Sequence, residues 1–407
     1  MSVKTIPVPS PPTVLDHDLN KYFPELLKFD STVAMEASDF YKGIKPEAER
    51  ILNSIIVEHI PRSIGADNGS QTSVSSTSIG VAAWNLERGT RFEGIVDAFS
   101  HNEALRDRDV LLLSELDYGM ARSGNRFVAK ELAERLQMNY AFAPVYIPLQ
   151  KGSGVESEIE GENAQSIHGL ALFSRYPITN VHAVPLPNGK DKMWGKEKRL
   201  GRLRALIVDI EHPGGTFRAV TVHLDAHCSR AHRRRQIQIV LDHLDTLPPL
   251  PTILGGDWNT TGFNSQNSTR AIMGYWRRVF MGPKNVAINH LPYPERFFER
   301  RLFGDLESRG YEYKNLNELG VGTLHYDVAS IEKNTNLRDW VPEWCFPFIF
   351  WAAGRVGGRV SGRLDWFAAR GFSLASDSAP KTIGELIDTE GIPLSDHDAI
   401  TVDLVFR

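Results

Sequence analysis

The spacing of apolar residues changes near residue 79 of the chain. Before that point, apolar residues recur at helical spacing behind the stretch 45–49, at Ile51, Leu52, Ile55 and Ile56. This part therefore predicts a helix. After residue 79, short apolar runs are separated by polar turns and amphipathic stretches. That alternation predicts strands and helices following one another along the chain.

The individual elements can be placed on the sequence from these runs. Strands are predicted at 81–84, 109–114, 168–174, 204–210, 217–224, 252–254 and 399–405. Helices are predicted at 126–136 and 229–244, the second with Ser229 as its N-cap. Polar residues stand where the strands stop, so we expect several strand ends to meet in one cleft.

Composition shifts divide the chain into segments. Residues 7–13 are rich in proline and residues 63–79 in serine, threonine and glycine, which predicts extended or flexible connections. We therefore expect an N-terminal arm, 1–78, with a helix and a flexible linker, and a main domain, 79–407. The stretch 262–354 breaks the rhythm of the main domain with helix-like segments around 268–280 and 295–309, and we interpret it as an insertion.

The composition is that of a soluble globular protein, with 42% apolar and 24% charged residues among 407. A formal charge of -4 gives no overall basic field for polyphosphates. Cys228 and Cys345 are the only cysteines in the sequence, which argues against a disulfide framework and favours a reducing compartment. The first residues lack the apolar stretch of a secretion signal, and the longest apolar run, 344–354, is too short to span a bilayer. We expect a cytoplasmic protein without stable membrane insertion.

Asn85 and Glu115 each follow a predicted strand. A hydrated magnesium ion takes oxygen ligands and usually binds one or two protein carboxylates, so a glutamate and an amide suffice for a site. Each residue alone is also an ordinary turn former. Asp117 follows two positions later and is either a second carboxylate of the site or a solvated turn residue.

The block 255–259 combines two glycines with Asp257 and Asn259. The glycines would allow a sharp turn, and two side chains two positions apart on an extended chain point to the same side. One of them could then orient an attacking water while the other binds a phosphate. A plain turn would use the same residue types.

His223 and His397 are the candidate proton carriers. His223 ends a predicted strand, and a histidine at such a position can also have a purely structural role. His397 follows Asp396 directly and has a candidate partner in Asp365. A carboxylate on one ring nitrogen would fix the tautomer and favour the imidazolium, which suits phosphate chemistry.

Taken in order, these blocks resemble the signature blocks of the endonuclease/exonuclease/phosphatase superfamily, the DNase I-like phosphoesterases. The matching blocks are 84–86, 114–116, 168–178, 221–224, 255–259, 363–367 and 395–397. The resemblance implies an α+β fold, a four-layer α/β/β/α sandwich with two packed mixed sheets. It also implies a metal-dependent phosphoesterase site at one edge.

The resemblance further implies roles for individual residues. Glu115 would be the principal ligand of Mg²⁺, with Mn²⁺ as the alternative and one or two ions bound, supported by Asn85 and Asp396. Asp257 and Asn259 would orient the water and the scissile phosphate. His223 would hold a phosphate oxygen, and His397, paired with Asp365, would stabilise the pentacovalent charge or move a proton. The expected reaction is hydrolysis of a phosphodiester or phosphomonoester by direct attack of activated water.

The substrate class stays open at this point: nucleic acid, nucleotide, inositol phosphate or phospholipid. We expect His168, Arg230 and Arg234 to contact it, although an arginine-rich first helical turn is also an ordinary solvated surface. The apolar run 344–351 is either core or the rim of a lipid site. The alternative function is a catalytically idle scaffold of the same fold that binds a partner through 262–354.

Overall fold

The computed structural model describes residues 15–61, 78–264, 266, 268–327, 351 and 354–407. The proline-rich segment 7–13, nearly all of 63–79 and the apolar run 344–350 lie outside these residues, so the predictions made for them are not addressed by the structure.

Two sheets form the centre of the described chain. The larger has the order β1-β4-β5-β3-β2-β16-β14, with β15 added to β16 and β7 to β4, and the smaller has the order β13-β10-β9-β8-β6. The strands of the larger sheet are β1 (Ile56–Glu58), β2 (Ser78–Arg88), β3 (Val110–Tyr118), β4 (Asn139–Pro148), β5 (Ile167–Ser174), β7 (Arg199–Gly201), β14 (Phe372–Leu374), β15 (Lys381–Ile383) and β16 (Ala399–Phe406). Those of the smaller sheet are β6 (Ile178–Pro185), β8 (Arg204–His212), β9 (Gly215–Val222), β10 (Thr252–Asp257) and β13 (Asp365–Arg370).

The sheets pack face to face and helices cover their outer faces. Apolar side chains of both sheets, such as Leu112 and Leu172 from one and Val220 and Leu254 from the other, share one core. The helices are α1 (Phe23–Leu26), α2 (Thr32–Ala37), α3 (Asp39–Asn53), α4 (Phe92–His101), α5 (Val128–Leu136), α6 (Arg230–Thr246), α7 (Ser268–Met281), α8 (Pro283–Asn289) and α9 (Arg300–Ser308). Both sheets contain parallel and antiparallel pairs, and the predicted four-layer α+β sandwich is confirmed.

The predicted ends of the strands at 81–84 and 109–114, which are β2 and β3 in the structure, were wrong. β2 and β3 both continue beyond Asn85 and Glu115, and their parallel pairing shifts register between Asn85 and Arg88. Glu115 has a left-handed backbone, with φ 57°, at the point where the pairing of β3 with β5 is also interrupted. A bulge of this kind turns a side chain away from its normal direction without ending the strand.

Gly255 and Gly256 do not form a turn, which corrects the interpretation of this block. Both lie inside β10, which runs to Asp257 between β9 and β13. Gly256 has φ 125°, and a β-carbon there would lie 2.4 Å from the carbonyl oxygen of Val222. The glycine is needed because β9 passes too close for any side chain.

The N-terminal residues that the structure describes pack on the main domain. β1 pairs with β4 in antiparallel register, and α3 presents Ile44, Ile51 and Leu52 to the core on that face of the larger sheet. Lys198 also donates to the carbonyl oxygens of Leu27 and Phe29. The position of the boundary at residue 78 stays a prediction.

Part of the stretch 262–354 contributes to the core. Leu302, Phe303 and Leu306 of α9 are buried beside α6 and β13. β11 (Leu324–Asp327), which lies in this stretch, pairs in antiparallel register with β12 (Arg359–Gly362), which lies after it. Among the described residues, no helix has the length and apolarity that crossing a membrane requires.

Candidate active site

Asn85 links the two sheets at the site. It lies on β2, and its amide nitrogen donates to Glu115 Oε1 of β3 and to Asp257 Oδ2 of β10, both at 3.2 Å. Its amide oxygen accepts from the backbone N–H of Glu87 at 3.1 Å. The predicted meeting of Asn85, Glu115 and Asp257 is therefore present in the structure.

Asp257 and Asn259 form a compact turn at the end of β10. Asn259 has a left-handed backbone, with φ 48°, so the prediction of an extended chain here was wrong. The turn brings the Asn259 backbone N–H to 2.8 Å from Asp257 Oδ1 and its amide nitrogen to 3.1 Å from Oδ2. The same amide donates to the carbonyl oxygen of Leu224. Asp257 is consequently fixed by donors on both carboxylate oxygens.

The predicted pairing of His397 with Asp365 is present. His397 Nδ1 lies 2.8 Å from Asp365 Oδ2, and Thr323 Oγ1 donates to the same oxygen at 2.6 Å. The carbonyl oxygen of His397 accepts from Trp84 Nε1 at 2.8 Å. His397 is thus held to the larger sheet by its backbone and to the smaller sheet by its ring, with Nε2 3.8 Å from Asp257 Oδ2.

His223 follows β9 directly and faces both carboxylates. Its Nε2 lies 3.5 Å from Asp257 Oδ2 and 3.9 Å from Glu115 Oε1. These separations exceed a good hydrogen bond. The ring thus makes no direct hydrogen bond to either carboxylate, but it is close enough to both that it could contact a phosphate oxygen bound beside them.

The electrostatic field around Glu115 favours its ionised form. Burial alone would raise the pKa of Glu115, but the charge of Arg88, together with His223 and His168, holds that pKa well below its usual range. Arg88 is itself paired with Glu156 at 3.2 Å. A permanently ionised carboxylate at this position is the form that binds a cation.

Other carboxyl groups near Glu115 have raised rather than lowered pKa values. Burial and the neighbouring Asp396 raise the pKa of Glu87 to about 8, and burial together with the charge of Glu115 raises the pKa of Asp396. Burial and the charge of Asp365 raise the pKa of Asp257 to about 6, although His397 counteracts the shift. These groups repel one another, and a divalent cation would relieve that repulsion.

The donor set fits a hard divalent cation. Carboxylate oxygens dominate the site, and Glu115 Oε2 accepts no hydrogen bond from a described residue. Ligand atoms of Asp257, Asp365 and His397 also lie within 4.8 Å of one another. In that second group, however, His397 Nδ1 and Asp365 Oδ2 are already bonded to each other. We therefore take Glu115 as the better ligand.

Asn85 is less suited to bind a cation than the sequence suggested. It turns its NH₂ group toward Glu115 and Asp257, and its oxygen toward Glu87. An amide coordinates a cation only through its oxygen, so direct ligation would require this side chain to turn over. Asp396 lies beside the group, with its backbone N–H donating to Glu87 Oε2 at 3.1 Å.

His168 and Asp117 form a second histidine–aspartate pair. His168 Nδ1 lies 2.8 Å from Asp117 Oδ1, and Arg122 contacts both oxygens of Asp117 at 3.1 and 2.8 Å. Asp117 is fully buried, so the interpretation as a solvated turn residue was wrong. Burial opposes ionisation, but Arg122 and His168 lower the pKa of Asp117 to about 2.

The structure does not bring Arg230 or Arg234 into hydrogen-bond contact with the residues of the candidate active site described above. Arg234 pairs with both oxygens of Asp305, and Arg230 donates to the Phe298 carbonyl oxygen at 3.3 Å. Sequence reasoning also missed Glu87, Arg88 and Thr323. Glu87 and Arg88 could have been suspected because two charged residues follow Asn85 within three positions. Nothing in the sequence marks Thr323.

Carboxylates, amides and an Asp–His pair from the two sheets of a four-layer sandwich meet at this site. The model of the Endonuclease/Exonuclease/phosphatase family matches residues 82–397, so the chain belongs to that family and to the general class of phosphoesterase-type hydrolases. No curated protein matches the chain.

The chain is also similar to solved structures that are distant in sequence. Humanized D. rerio TDP2 with 14 mutations is 14% identical, with 81% of this chain and 99% of that chain covered and a TM-score of 0.43. An endonuclease/exonuclease/phosphatase from Bacteroides vulgatus is 11% identical, with 81% and 100% covered and a TM-score of 0.45. The human Nocturnin catalytic domain with bound sulfate anion is 15% identical, with 82% and 95% covered and a TM-score of 0.43.

Proposed function

We propose that this protein hydrolyses a phosphate ester, a phosphodiester or a phosphomonoester, by direct attack of water and with a divalent metal. The observation that carries the proposal is the meeting of Glu115, Asp257 and His397 across the two sheets. Asn85 bridges Glu115 and Asp257 through hydrogen bonds of 3.2 Å, and His397 Nε2 lies 3.8 Å from Asp257 Oδ2. Each comes from a different strand or loop, and all converge on one small volume. A binding scaffold would have no need of this arrangement.

Asp257 is assigned the role of orienting the water and accepting its proton. Its pKa of about 6 leaves it largely ionised at neutral pH, yet close enough to neutrality to receive a proton. Asn259 and Asn85 donate to the same carboxylate oxygen and hold it in one orientation. Such fixation of the group that positions a reactant is what makes the attack efficient.

His397 is assigned to the developing charge on the phosphoryl group. Burial disfavours its charged form, but Asp365 and Asp257 outweigh burial and raise the pKa of His397 well above its usual value. The ring is therefore an imidazolium at neutral pH and can donate from Nε2 to a phosphoryl oxygen or leaving group. His223, at 3.9 Å from Glu115, would hold another phosphate oxygen.

The metal would be held by Glu115 with Asp396, and by Asn85 if its amide turns over. We infer Mg²⁺, or Mn²⁺ in its place, as one or two ions. When bound, such an ion neutralises phosphate charge and lowers the pKa of coordinated water. The roles of the protein side chains described above do not depend on the number of ions.

The substrate is a phosphorylated compound whose class, whether nucleic acid, nucleotide, inositol phosphate or phospholipid, the catalytic residues alone do not select. We keep His168 as a contact at the edge of the site, because its ring is close enough to lower the pKa of Glu115. A cytoplasmic location remains our proposal.

The test is hydrolysis of bis(p-nitrophenyl) phosphate and p-nitrophenyl phosphate with Mg²⁺, with Mn²⁺ and with a chelator. Activity should require the added metal. Asp257 and His397 are buried rather than exposed in a cleft, so Asp257→Asn and His397→Gln test them with less damage than alanine. Each should lower kcat at least about a hundredfold with an unchanged circular dichroism spectrum.

Asp242→Asn is the matched control, since Asp242 is an exposed carboxylate that pairs with Arg309 on the helical surface. It should retain full activity. Hydrolysis that persists in the chelator, or in Asp257→Asn, would contradict the proposal.

A further inference from the structure

Arg278 of α7 is a buried cation that forms no ion pair with a described residue. Within the described part of the chain its side chain makes one hydrogen bond, from Nη1 to the carbonyl oxygen of Gly274 at 3.1 Å. Nε and Nη2 have no hydrogen-bond partner among these residues and are closed to solvent, and Arg278 as a whole is 8% exposed. A buried guanidinium is costly to leave unpaired.

Two phenylalanine rings enclose this guanidinium. The central carbon lies 3.5 Å from the centroid of Phe263 and 4.5 Å from that of Phe298. Stacking on aromatic faces is favourable for arginine, but it leaves the in-plane N–H groups without acceptors. The rings therefore fix the plane of the guanidinium. Its two unpaired N–H groups are enclosed, so an anion reaches them only after the side chains that cover them move aside.

Two further arginines lie beside Phe297 and Phe298. Arg230 donates to the Phe298 carbonyl oxygen at 3.3 Å, and the Arg277 guanidinium lies 5.9 Å from the Phe297 ring. Both are exposed, in contrast to Arg278. We call Arg230, Arg277 and Arg278 the arginine cluster.

Glu299, a buried acid whose charge acts on Arg278, is engaged through Oε1, whereas its Oε2 has no hydrogen-bond partner among the described residues. Glu299 Oε1 accepts from Arg233 Nη2 at 2.5 Å and from the Gly262 N–H at 3.2 Å. Burial lowers the pKa of Arg278 to about 9, and the charges of Arg230, Arg277 and Arg233 act in the same direction. The cluster therefore carries an excess of positive charge that an anion would balance.

Phe263, whose ring lies against Arg278, connects the arginine cluster to the candidate active site. Phe263 stands four positions after Asn259, so their α-carbons are at most about 14 Å apart. Gly262, between them, packs so closely on Phe298 that a β-carbon would lie 2.5 Å from the Phe298 β-carbon. Thr260 is tied to the same end of the sheet by its hydrogen bond to the Arg363 carbonyl oxygen.

We propose that the arginine cluster binds a second phosphate group of the substrate, apart from the phosphate that is cleaved. A guanidinium with a fixed plane and two unpaired N–H groups matches the oxygens of a phosphate. Arg230 and Arg277 would attract the anion from solvent, and Arg278 would bind it. This inference rests on the proposed function and narrows its substrate to compounds with at least two phosphate groups.

The first experiment measures anion binding without any turnover. The melting temperature of the full chain is followed in millimolar sodium sulfate, against sodium chloride of equal ionic strength. Sulfate should raise the wild-type melting temperature along a saturating curve. Arg278→Met should abolish this rise, and Arg230→Gln and Arg277→Gln should weaken it. Arg234→Gln, whose partner is Asp305, is the matched control and should behave as the wild type.

The same measurement separates a binding role from a structural one. Without sulfate, Arg278→Met should melt at the wild-type temperature or above it, because the substitution removes an unpaired buried cation. A saturating rise that survives in Arg278→Met, or that is absent from the wild type, would overturn the site. So would a lower melting temperature of Arg278→Met without sulfate.

The second experiment tests whether the anion belongs to the substrate. The matched pair is thymidine 5′-(p-nitrophenyl phosphate) and the same compound with a 3′-phosphate. Arg278→Met should raise KM for the bisphosphate about tenfold, the loss expected for a charge-assisted hydrogen bond, and leave KM for the monophosphate unchanged. Equal effects on both would refute the substrate assignment. If the wild type cleaves neither, the proposed function fails, and the sulfate result still decides whether the anion site exists.

Discussion

Replacement of Asp365 by Asn gives the sharpest test of how the site works. Asp365 is fully buried, and its Oδ2 accepts from His397 Nδ1 and from Thr323 Oγ1. Asn keeps the size of the side chain but removes the charge that favours the His397 imidazolium. A hydrogen bond to a charged group contributes about 1.5–3 kcal/mol, so we expect kcat/KM to fall roughly 10- to 150-fold.

The pH profile identifies the cause of this loss. In the wild type, activity should fall on the alkaline side where His397 loses its proton, above the usual histidine range because its pKa is raised. In Asp365→Asn, that alkaline limb should move about one to two pH units lower, since 1.36 kcal/mol corresponds to one unit. The assay is kcat/KM for bis(p-nitrophenyl) phosphate between pH 5 and 10, at constant ionic strength.

Stability supplies an independent check with a defined sign. A histidine whose pKa is raised on folding adds stability that is fully present below its unfolded pKa, near 6.5, and is lost as the pH rises through the folded value. The difference in unfolding free energy between wild type and Asp365→Asn should therefore shrink from pH 6 to pH 9. Thr323→Val removes a hydroxyl that donates to Asp365 Oδ2 and accepts from the backbone N–H groups of Leu364 and Asp365, but it keeps the charge of Asp365. It is the control, and its alkaline limb should stay closer to the wild-type position than that of Asp365→Asn. An unmoved limb in Asp365→Asn would refute the assigned role.

Two further predictions concern stability. Gly256→Ala should lower the free energy of unfolding by roughly 3 kcal/mol in urea titrations followed by tryptophan fluorescence, because its left-handed backbone and a carbonyl oxygen of β9 exclude a β-carbon. Gly304→Ala, in open space on α9, should instead raise it by about 0.5–1 kcal/mol. Asp117→Asn should cost about 1.5–3 kcal/mol, because the charge-assisted hydrogen bonds of Arg122 and His168 to this carboxylate are lost while Glu156 and Glu197 still pair with Arg122. This loss should be present above about pH 4 and smaller near pH 2, where Asp117 itself is neutralised. The exposed Glu93→Gln should change stability by less than about 1 kcal/mol.

Apolar runs located most of the strands because buried strands need them. The runs at 168–174, 204–210 and 399–405 became β5, β8 and β16 with small changes at their ends. Ser229 was correctly placed as a helix cap, and its side chain accepts from the backbone N–H of His232. These features depend on local spacing, which the sequence displays directly.

Backbone irregularities were not predictable in the same way. Glu115 and Asn259 have positive φ, although their residue types do not require it. The bulge at Glu115 arises from pairing with strands that are distant in sequence. The sequence suggested that the strand ends at Glu115. The meeting of Glu115 with Asn85 was therefore predicted from a strand end that the structure does not have.

Buried charge partners were equally hidden. The sequence left Asp117 open between a second carboxylate of the site and a solvated turn residue, and the structure instead pairs it with His168 and Arg122 beside the site. Thr323 reaches Asp365 from a segment that carries no motif. A hydrogen bond between residues 42 positions apart leaves no periodic signal in a single sequence.

The site depends on how the two sheets sit against each other. Asn85 and Glu115 belong to the larger sheet and Asp257 to the smaller, so the hydrogen bond from Asn85 to Asp257 crosses the interface between the sheets. Below them, the absence of a side chain at Gly255 lets β10 approach Leu112 of the larger sheet, whose Cδ1 would lie 2.7 Å from an added β-carbon. Because the interior is close-packed, a slip of one sheet would separate the carboxylates before either sheet unfolded. The core between the sheets therefore sets the geometry of the reaction as well as the stability of the fold.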